Sequence, residues 1–286
     1  MGEGWVERAP LMIVPANRGG SVEHFYHFLF GYLLPFLDIC HPLREHRRFL
    51  LRDCGPMNRL LRELDGFEIA LLPTWQVLGS VLANNPSLGA LPKLVAPGFD
   101  APAAYDAAVL RRIRALVPEL FAARLAAAAE RHPQAASDRL VLMVDRAPQD
   151  PFYASPRSEK RGAGAQVRSI PNMAEIHAAV AARYEVLVVR LETLPFFEQV
   201  YLFSRAWRVV GQHGAGLAHM IWAREDAALV EAIPSPNGVP IGKVAYAAIF
   251  RGVCSKIGVR WHGILQEDNH VMLPPARVLK GLAALD

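Results

Sequence analysis

Residues 209–217 read Val209-Val210-Gly211-Gln212-His213-Gly214-Ala215-Gly216-Leu217: an apolar strand, a turn of small residues and a helix start. Glycines let a backbone approach a ligand closely and take positive φ where a turn needs it. A helix start behind such a turn offers unpaired N–H groups and a partial positive charge, which suits phosphate. His213 stands where its ring can donate to a phosphate oxygen, with Gly214, Ala215 and Gly216 as the cradle. A glycine at such a turn also serves packing alone, and the pattern is not GxGxxG, so the neighbouring segments must decide.

Downstream, the buried run 228–233 carries Glu231. Placed at the carboxyl end of its strand, that carboxylate is expected beside the crevice where open sheets bind ligands, accepting hydrogen bonds from ribose hydroxyls. The plain alternative is a surface glutamate. Upstream, 140–144 is a continuous apolar run, as in a parallel strand covered on both faces. Strand and helix then alternate: a helix over 172–183, a strand over 184–189, a helix over 195–205 with Pro195 in its first turn, and the strand 207–210. Beyond Glu231 the pattern gives a helix over 243–257 and a short strand near 259–263. This is the rhythm of a doubly wound α/β sheet.

The first half is α/β but less regular. Strands are expected at 11–14, 48–51 and 67–72, with a helix from Ser21, another at 57–64, an irregular stretch over 74–100 and a long Ala- and Arg-rich helix over 103–131. The run from His24 to Cys40 is the most hydrophobic, yet it contains two histidines and Pro35. It falls short of the roughly 20 residues of a membrane span, so it reads as a buried helix. His24 and His27, spaced i and i+3, lie on one face of it. The break near 132–138 divides the chain into an acceptor-side domain, 1–135, and a nucleotide-binding domain, 136–286.

Composition fits this reading. The 286 residues are 52% apolar and 20% charged, enough for a sizeable core, with a net charge of +4. A mild basic excess suits an anionic small molecule or an anionic membrane surface, and there is no basic/aromatic stretch of the kind that stacks bases, so no nucleic acid is expected. Three lone cysteines without CxxC spacing argue for a reducing compartment and against a cysteine metal site. No apolar leader core precedes the first strand, so a cytoplasmic location is expected, peripheral at the inner membrane face.

With Phe197-Glu198-Gln199-Val200 upstream and Val230-Glu231-Ala232-Ile233-Pro234 downstream, the 209–218 stretch resembles glycosyltransferase family 61, whose pattern is an EQ helix, a strand ending in G-x-HGAGL and a strand ending in E-x-x-P. Val144-Asp145-Arg146, Arg168-Ser169-Ile170-Pro171-Asn172 and His24-Phe25-Tyr26-His27 extend the resemblance. It implies a GT-B-like fold of two Rossmann-like domains facing a cleft, the N-terminal one small and irregular. It also implies an inverting reaction and a nucleoside-diphosphate sugar donor, such as a UDP-sugar, handled without an obligatory metal or other cofactor. The acceptor would be a glycan or a lipid-linked saccharide, in surface polysaccharide synthesis.

The diphosphate that leaves in such a transfer gains negative charge, which arginine forks can neutralise; Arg146 and Arg168 are the candidates, with Asn172 as a cap or ligand. His24 or His27 can serve as the general base toward an acceptor hydroxyl. HxxH without a third ligand is a poor metal motif. Many relatives in that family carry an acid about four positions after the second histidine, where this chain has Gly31. That departure leaves a second reading open, a catalytically silent nucleotide-sugar or glycan-binding module. A nicotinamide-dependent oxidoreductase would need GxGxxG after the first strand, and 15–20 reads Pro-Ala-Asn-Arg-Gly-Gly.

Overall fold

The computed structural model describes residues 8–15, 21–73, 84, 87, 90–96, 106–160, 162–235 and 239–286. The chain separates into two compact units, Met1–Asp100 and Ala101–Asp286. Both are α/β and both rest on parallel sheets, as the alternating pattern predicts.

In the first unit, β1 (Ala9–Pro15) precedes helix α1 (Phe25–Phe28), which passes through a π-helical turn, Leu29–Leu33, into α2 (Leu34–Cys40). Then come β2 (Arg47–Arg52), α3 (Asn58–Leu61), β3 (Glu68–Leu72) and β4 (Lys93–Ala96). The strands form one parallel sheet in the order β3-β2-β1-β4, more regular than the sequence of this half suggests. Pro35 explains the π turn. It has no N–H to give to the Gly31 carbonyl, so the ladder re-registers around it. The segment is buried nearly all round, Phe28 through Leu37 included. Tyr32 ties it to the sheet: its hydroxyl donates to Ile13 O at 2.9 Å and accepts from Arg52 N–H at 3.0 Å. The loop after β1 and most of 74–100 lie outside the described residues.

The second unit opens with α4 (Ala107–Leu120) and α5 (Ala122–Arg131). The single long helix read from the sequence is therefore two. Pro118 has no N–H to give to Arg114 O, and Phe121, at φ −123° and ψ 32°, ends the first. These helices belong to the second unit, so the division falls at 100/101 and not near Pro133–Ser137. The physical reason is specific: Arg131 and His132 reach Glu198 at 2.6 and 2.7 Å, and Phe121 packs on Phe197.

Next follow β5 (Leu140–Asp145), α6 (Met173–Ala181), β6 (Glu185–Arg190), α7 (Phe196–Arg205), β7 (Arg208–Gln212), β8 (Ala228–Pro234), α8 (Ala247–Ile257), β9 (Arg260–Gln266) and α9 (Pro275–Ala283). All five strands run parallel in the order β6-β5-β7-β8-β9. The order reverses between β5 and β7. Open α/β sheets bind ligands outside the carboxyl ends of the strands at such a switch point. One face is covered by α6 and α9, whose Ile176, Val180, Val278 and Leu282 close a core over Val141, Met143, Val210 and Val230. The other is covered by α7, α8 and the segment after β7. Helix α9 is absent from the sequence reading.

Candidate functional site

The carboxyl ends of β5 and β7 lie side by side at the switch point. Arg146 follows the first directly, and the 211–216 turn follows the second. The Arg146 Nη2 donates to the His213 carbonyl at 2.6 Å, and Arg168 Nη1 donates to the same oxygen at 3.1 Å. Two guanidinium groups thus meet on one acceptor, with most of their ten N–H donors left over. Among the described residues, Arg146 Nε is buried without a hydrogen-bond partner. Burial, with Arg168 beside it, brings the Arg146 guanidinium down to about 10. Lys160 is lowered in the same direction, by burial first and by Arg168 second. Three cations crowding one another is an arrangement that an anion relieves.

The glycines of the turn serve a purpose the sequence did not reveal. Gly214 has φ 168°, extended backbone that any residue adopts. What it supplies is space: a Cβ there would stand 1.9 Å from Arg146 Nη2. On Gly216 a Cβ would meet Leu191 Cδ1 at 2.8 Å, and on Gly211 it would meet Leu217 Cδ2 at 3.0 Å. The turn is thus shaped by an arginine and by packing. It leads into a 3-10 helix, Ala215–Trp222, rather than the expected α-helix, and Leu217 N–H bonds Gly214 O at 3.0 Å. Positive charge at this end comes chiefly from the arginines, because a 3-10 segment aligns its peptide dipoles less well.

Glu231 does not emerge at the strand end. It lies in the middle of β8, 0% exposed, and both oxygens are taken: His213 Nδ1 at 2.6 Å and Trp261 Nε1 at 2.6 Å. The expected ribose contact is corrected on that ground. The carboxylate acts on His213. The His213 ring is flanked by Tyr246 at 4.6 Å and Phe250 at 5.3 Å between centroids, and Tyr246 also underlies the Arg168 guanidinium at 5.7 Å.

Asn172 also departs from the ligand role. It occupies the residue before α6, but its amide clamps Leu273, donating to the carbonyl at 3.1 Å and accepting from the N–H at 2.9 Å. With the side chain 7% exposed and so engaged, it holds the 269–273 segment rather than a nucleotide. Gln212 and Gln266 continue the bracing. Both donate to Ser169 O, at 3.1 and 3.0 Å, fixing the residue after Arg168. The sequence reading gave Gln212 no role beyond its place in the turn and did not name Gln266, Tyr246 or Trp261. Gly263, a glycine inside a strand, was the available hint of a close approach there.

The EQ pair on α7 is scaffolding. Glu198 receives Arg131 and His132 from the end of α5, and Gln199 Oε1 pairs with His219 Nε2 at 2.7 Å beneath the turn. In the first unit, His24 and His27 share a face as expected, their ring centroids 5.3 Å apart, both partly buried.

Fold and site together define an α/β protein with a cation-lined crevice at the switch point of a parallel sheet. The sequence model of the family described as Glycosyltransferase 61 matches residues 25–230, and the chain belongs to that family of glycosyltransferases. The crevice residues Arg146, Arg168 and His213 all fall inside the matched span. Among solved structures, the chain is similar to E. coli ADP-heptose LPS heptosyltransferase II, 10% identical over 97% of this chain and 98% of that one, with a TM-score of 0.46. No curated protein matches the chain in sequence.

Proposed function

We propose that this glycosyltransferase moves a sugar, with inversion, from a nucleoside-diphosphate donor to a glycan or lipid-linked saccharide, in surface polysaccharide synthesis. The observation that carries the donor reading is the convergence of Arg146 and Arg168 on one carbonyl at the sheet's switch point, with Lys160 nearby. When the glycosidic bond to the diphosphate breaks, negative charge grows on the departing oxygens. Guanidinium donors already in position stabilise that charge without reorganising. We assign the acceptor side to the first unit, with His24 or His27 taking the hydroxyl proton.

The test is thermal stabilisation by UDP and other nucleoside diphosphates, with and without chelator. A ligand held only by the native state adds about 2.7 kcal/mol at a hundredfold excess over its Kd. The expected result is a shift that persists in chelator and drops by about tenfold in affinity or more in Arg168→Ala. No shift with any nucleotide, or full dependence on a divalent ion, overturns the site as drawn. One observation favours a silent binding module instead: Gly31, in the π turn, stands where relatives place an acid. Nucleotide binding without release of UDP from any UDP-sugar would decide for it.

A further inference from the structure

Glu231 sits in an unusual row. In register across the sheet, Gly211 on β7 and Gly263 on β9 flank it on both neighbouring strands. Partners in register on parallel strands point to the same face, so the glutamate is set between two positions without side chains. The space over Gly263 is filled by the Trp261 indole, since a Cβ there would stand 2.6 Å from its Cη2. From that berth the indole N–H reaches one Glu231 oxygen, and His213, two residues beyond Gly211 on the same face, reaches the other.

An indole N–H only donates, so a group that satisfies it and also accepts from an imidazole must be acceptor on both oxygens. An ionised carboxylate meets that demand and an amide does not. With Glu231 ionised, the Nδ1 of His213 carries its hydrogen toward it. The other nitrogen, Nε2, has no hydrogen-bond partner among the described residues and is not sealed from solvent.

We propose that Trp261 and Glu231 are positioning residues that fix the tautomer and aim of His213, so that Nε2 binds the leaving diphosphate only by taking up a proton. This deepens the donor reading above and rests on it for the identity of the anion. A neutral ring held through Nδ1–H offers the diphosphate a lone pair, which repels it. With one proton added at Nε2 the imidazolium lies between two anions, the carboxylate behind and the diphosphate in front. The groups facing the ring are Glu231 from β8, Tyr246 and Phe250 from α8, and Trp261 through Glu231 from β9. The Cys254 thiol on α8 faces Glu231, and burial with that carboxylate keeps it protonated. Arg146 and Arg168 hold the carbonyl of the same residue, and Lys160 stands beside Arg168.

Two measurements on the full chain test this. In calorimetry at pH 8, UDP and inorganic pyrophosphate are titrated in buffers of different ionisation heat. The wild type should take up about one proton more than His213→Gln, and Glu231→Gln should lose that uptake and bind about tenfold weaker. In that variant the single amide oxygen goes to Trp261, and the amide NH2 meets Nδ1 only when that nitrogen has lost its hydrogen to Nε2. Adding Trp261→Phe should then restore part of the affinity, whereas Trp261→Phe alone weakens binding; loss of packing alone predicts no such change of sign. Without ligand, nitrogen NMR of labelled histidine, with the His213 signal identified by His213→Gln, should show the Nδ1–H form in the wild type and a mixture in Glu231→Gln. Equal uptake and affinity in wild type and Glu231→Gln, or an Nε2–H wild-type ring, overturns the proposal. If neither anion binds the wild type, the donor reading fails, and the NMR result still decides the tautomer.

Discussion

The strand ends of the second unit and the histidine helix of the first solve different problems. At the crevice each functional side chain is held by a partner that is itself held. Arg146 fits over Gly214, Arg168 directly precedes a residue pinned by two glutamines, and His213 is gripped by a buried carboxylate. At the start of the helix, His24 and His27 share a face by their spacing, beside the buried Glu23 and the buried rings of Tyr26 and Phe28. The first arrangement can hold a ligand's charge in a preset geometry. The second sets two half-buried imidazoles side by side.

The largest expected effect separates the two regions. His24→Ala and His27→Ala, made singly, should leave UDP affinity unchanged, while in the variant that removes the base turnover should fall about a hundredfold or more. UDP release from a panel of UDP-sugars, set beside calorimetry, reads both quantities. Loss of UDP binding in either variant would break the division of labour between the units.

Gly214→Ala sharpens the other side. Its Cβ would stand 1.9 Å from Arg146 Nη2, so the guanidinium must leave the His213 carbonyl. Overpacking of this kind costs about 1–3 kcal/mol, and the lost anion contact should weaken UDP about tenfold or more. Denaturant melts and calorimetry on one preparation check both. Unchanged affinity would mean that Arg146 supports the turn without meeting the nucleotide.

Much of this was legible in the sequence, and the failures are instructive. The runs 140–144 and 228–233, the HGAG turn and the two arginines carry local signals of strand, turn and charge, and they stand at the crevice as read. Glu231 was assigned to the wrong partner because its position along β8 and its face depend on register with Gly211 and Gly263, a pairing made across the sheet. Asn172 had the cap position but spent its amide on Leu273, 101 residues away. Tyr246, Trp261 and Gln266 had no local signal, since only the wound sheet gathers them. Helix α9, 275–283, did carry a local signal, Val278 and Leu282 at helical spacing behind Pro274 and Pro275, and the sequence reading passed over it.

Beneath the turn a neutral histidine contrasts with the cationic crevice above it. His219 is fully buried against Phe196 and Phe203, and burial pulls its pKa down to about 3 from the ordinary 6.5. The unfolded chain takes up this proton below pH 6.5, whereas the folded chain resists until about pH 3. Stability contributed by the neutral ring is thus present above pH 6.5 and drains away as pH falls through that window, by up to about 1.4 kcal/mol per unit. His219→Gln should remove that slope from urea melts at pH 7, 6 and 5. A slope that survives the replacement would assign the acid sensitivity elsewhere.

The smallest expected effect concerns lipid. No helix among the described residues is long and apolar enough to cross a membrane. The sequence holds two basic clusters that suit an anionic surface: Arg111, Arg112 and Arg114, and Arg157, Lys160 and Arg161. The structure divides them. Arg114 is committed to the Ala223 carbonyl, and burial lowers it. In the loop, Arg157 is exposed, Lys160 is partly buried with its charge set against Arg168, and Arg161 lies outside the described residues. A basic side chain near an anionic leaflet contributes about 1 kcal/mol, screened by salt, and Lys160 is turned to the crevice. The triple replacement of Arg157, Lys160 and Arg161 by Ala should therefore cost little co-sedimentation with anionic liposomes, about tenfold or less, and should weaken UDP binding as well. Liposomes of anionic and neutral lipid at two salt concentrations, with UDP affinity measured alongside, provide the test. Lipid binding abolished with UDP affinity intact would show a loop that works for the membrane alone, and it would remove Lys160 from the crevice.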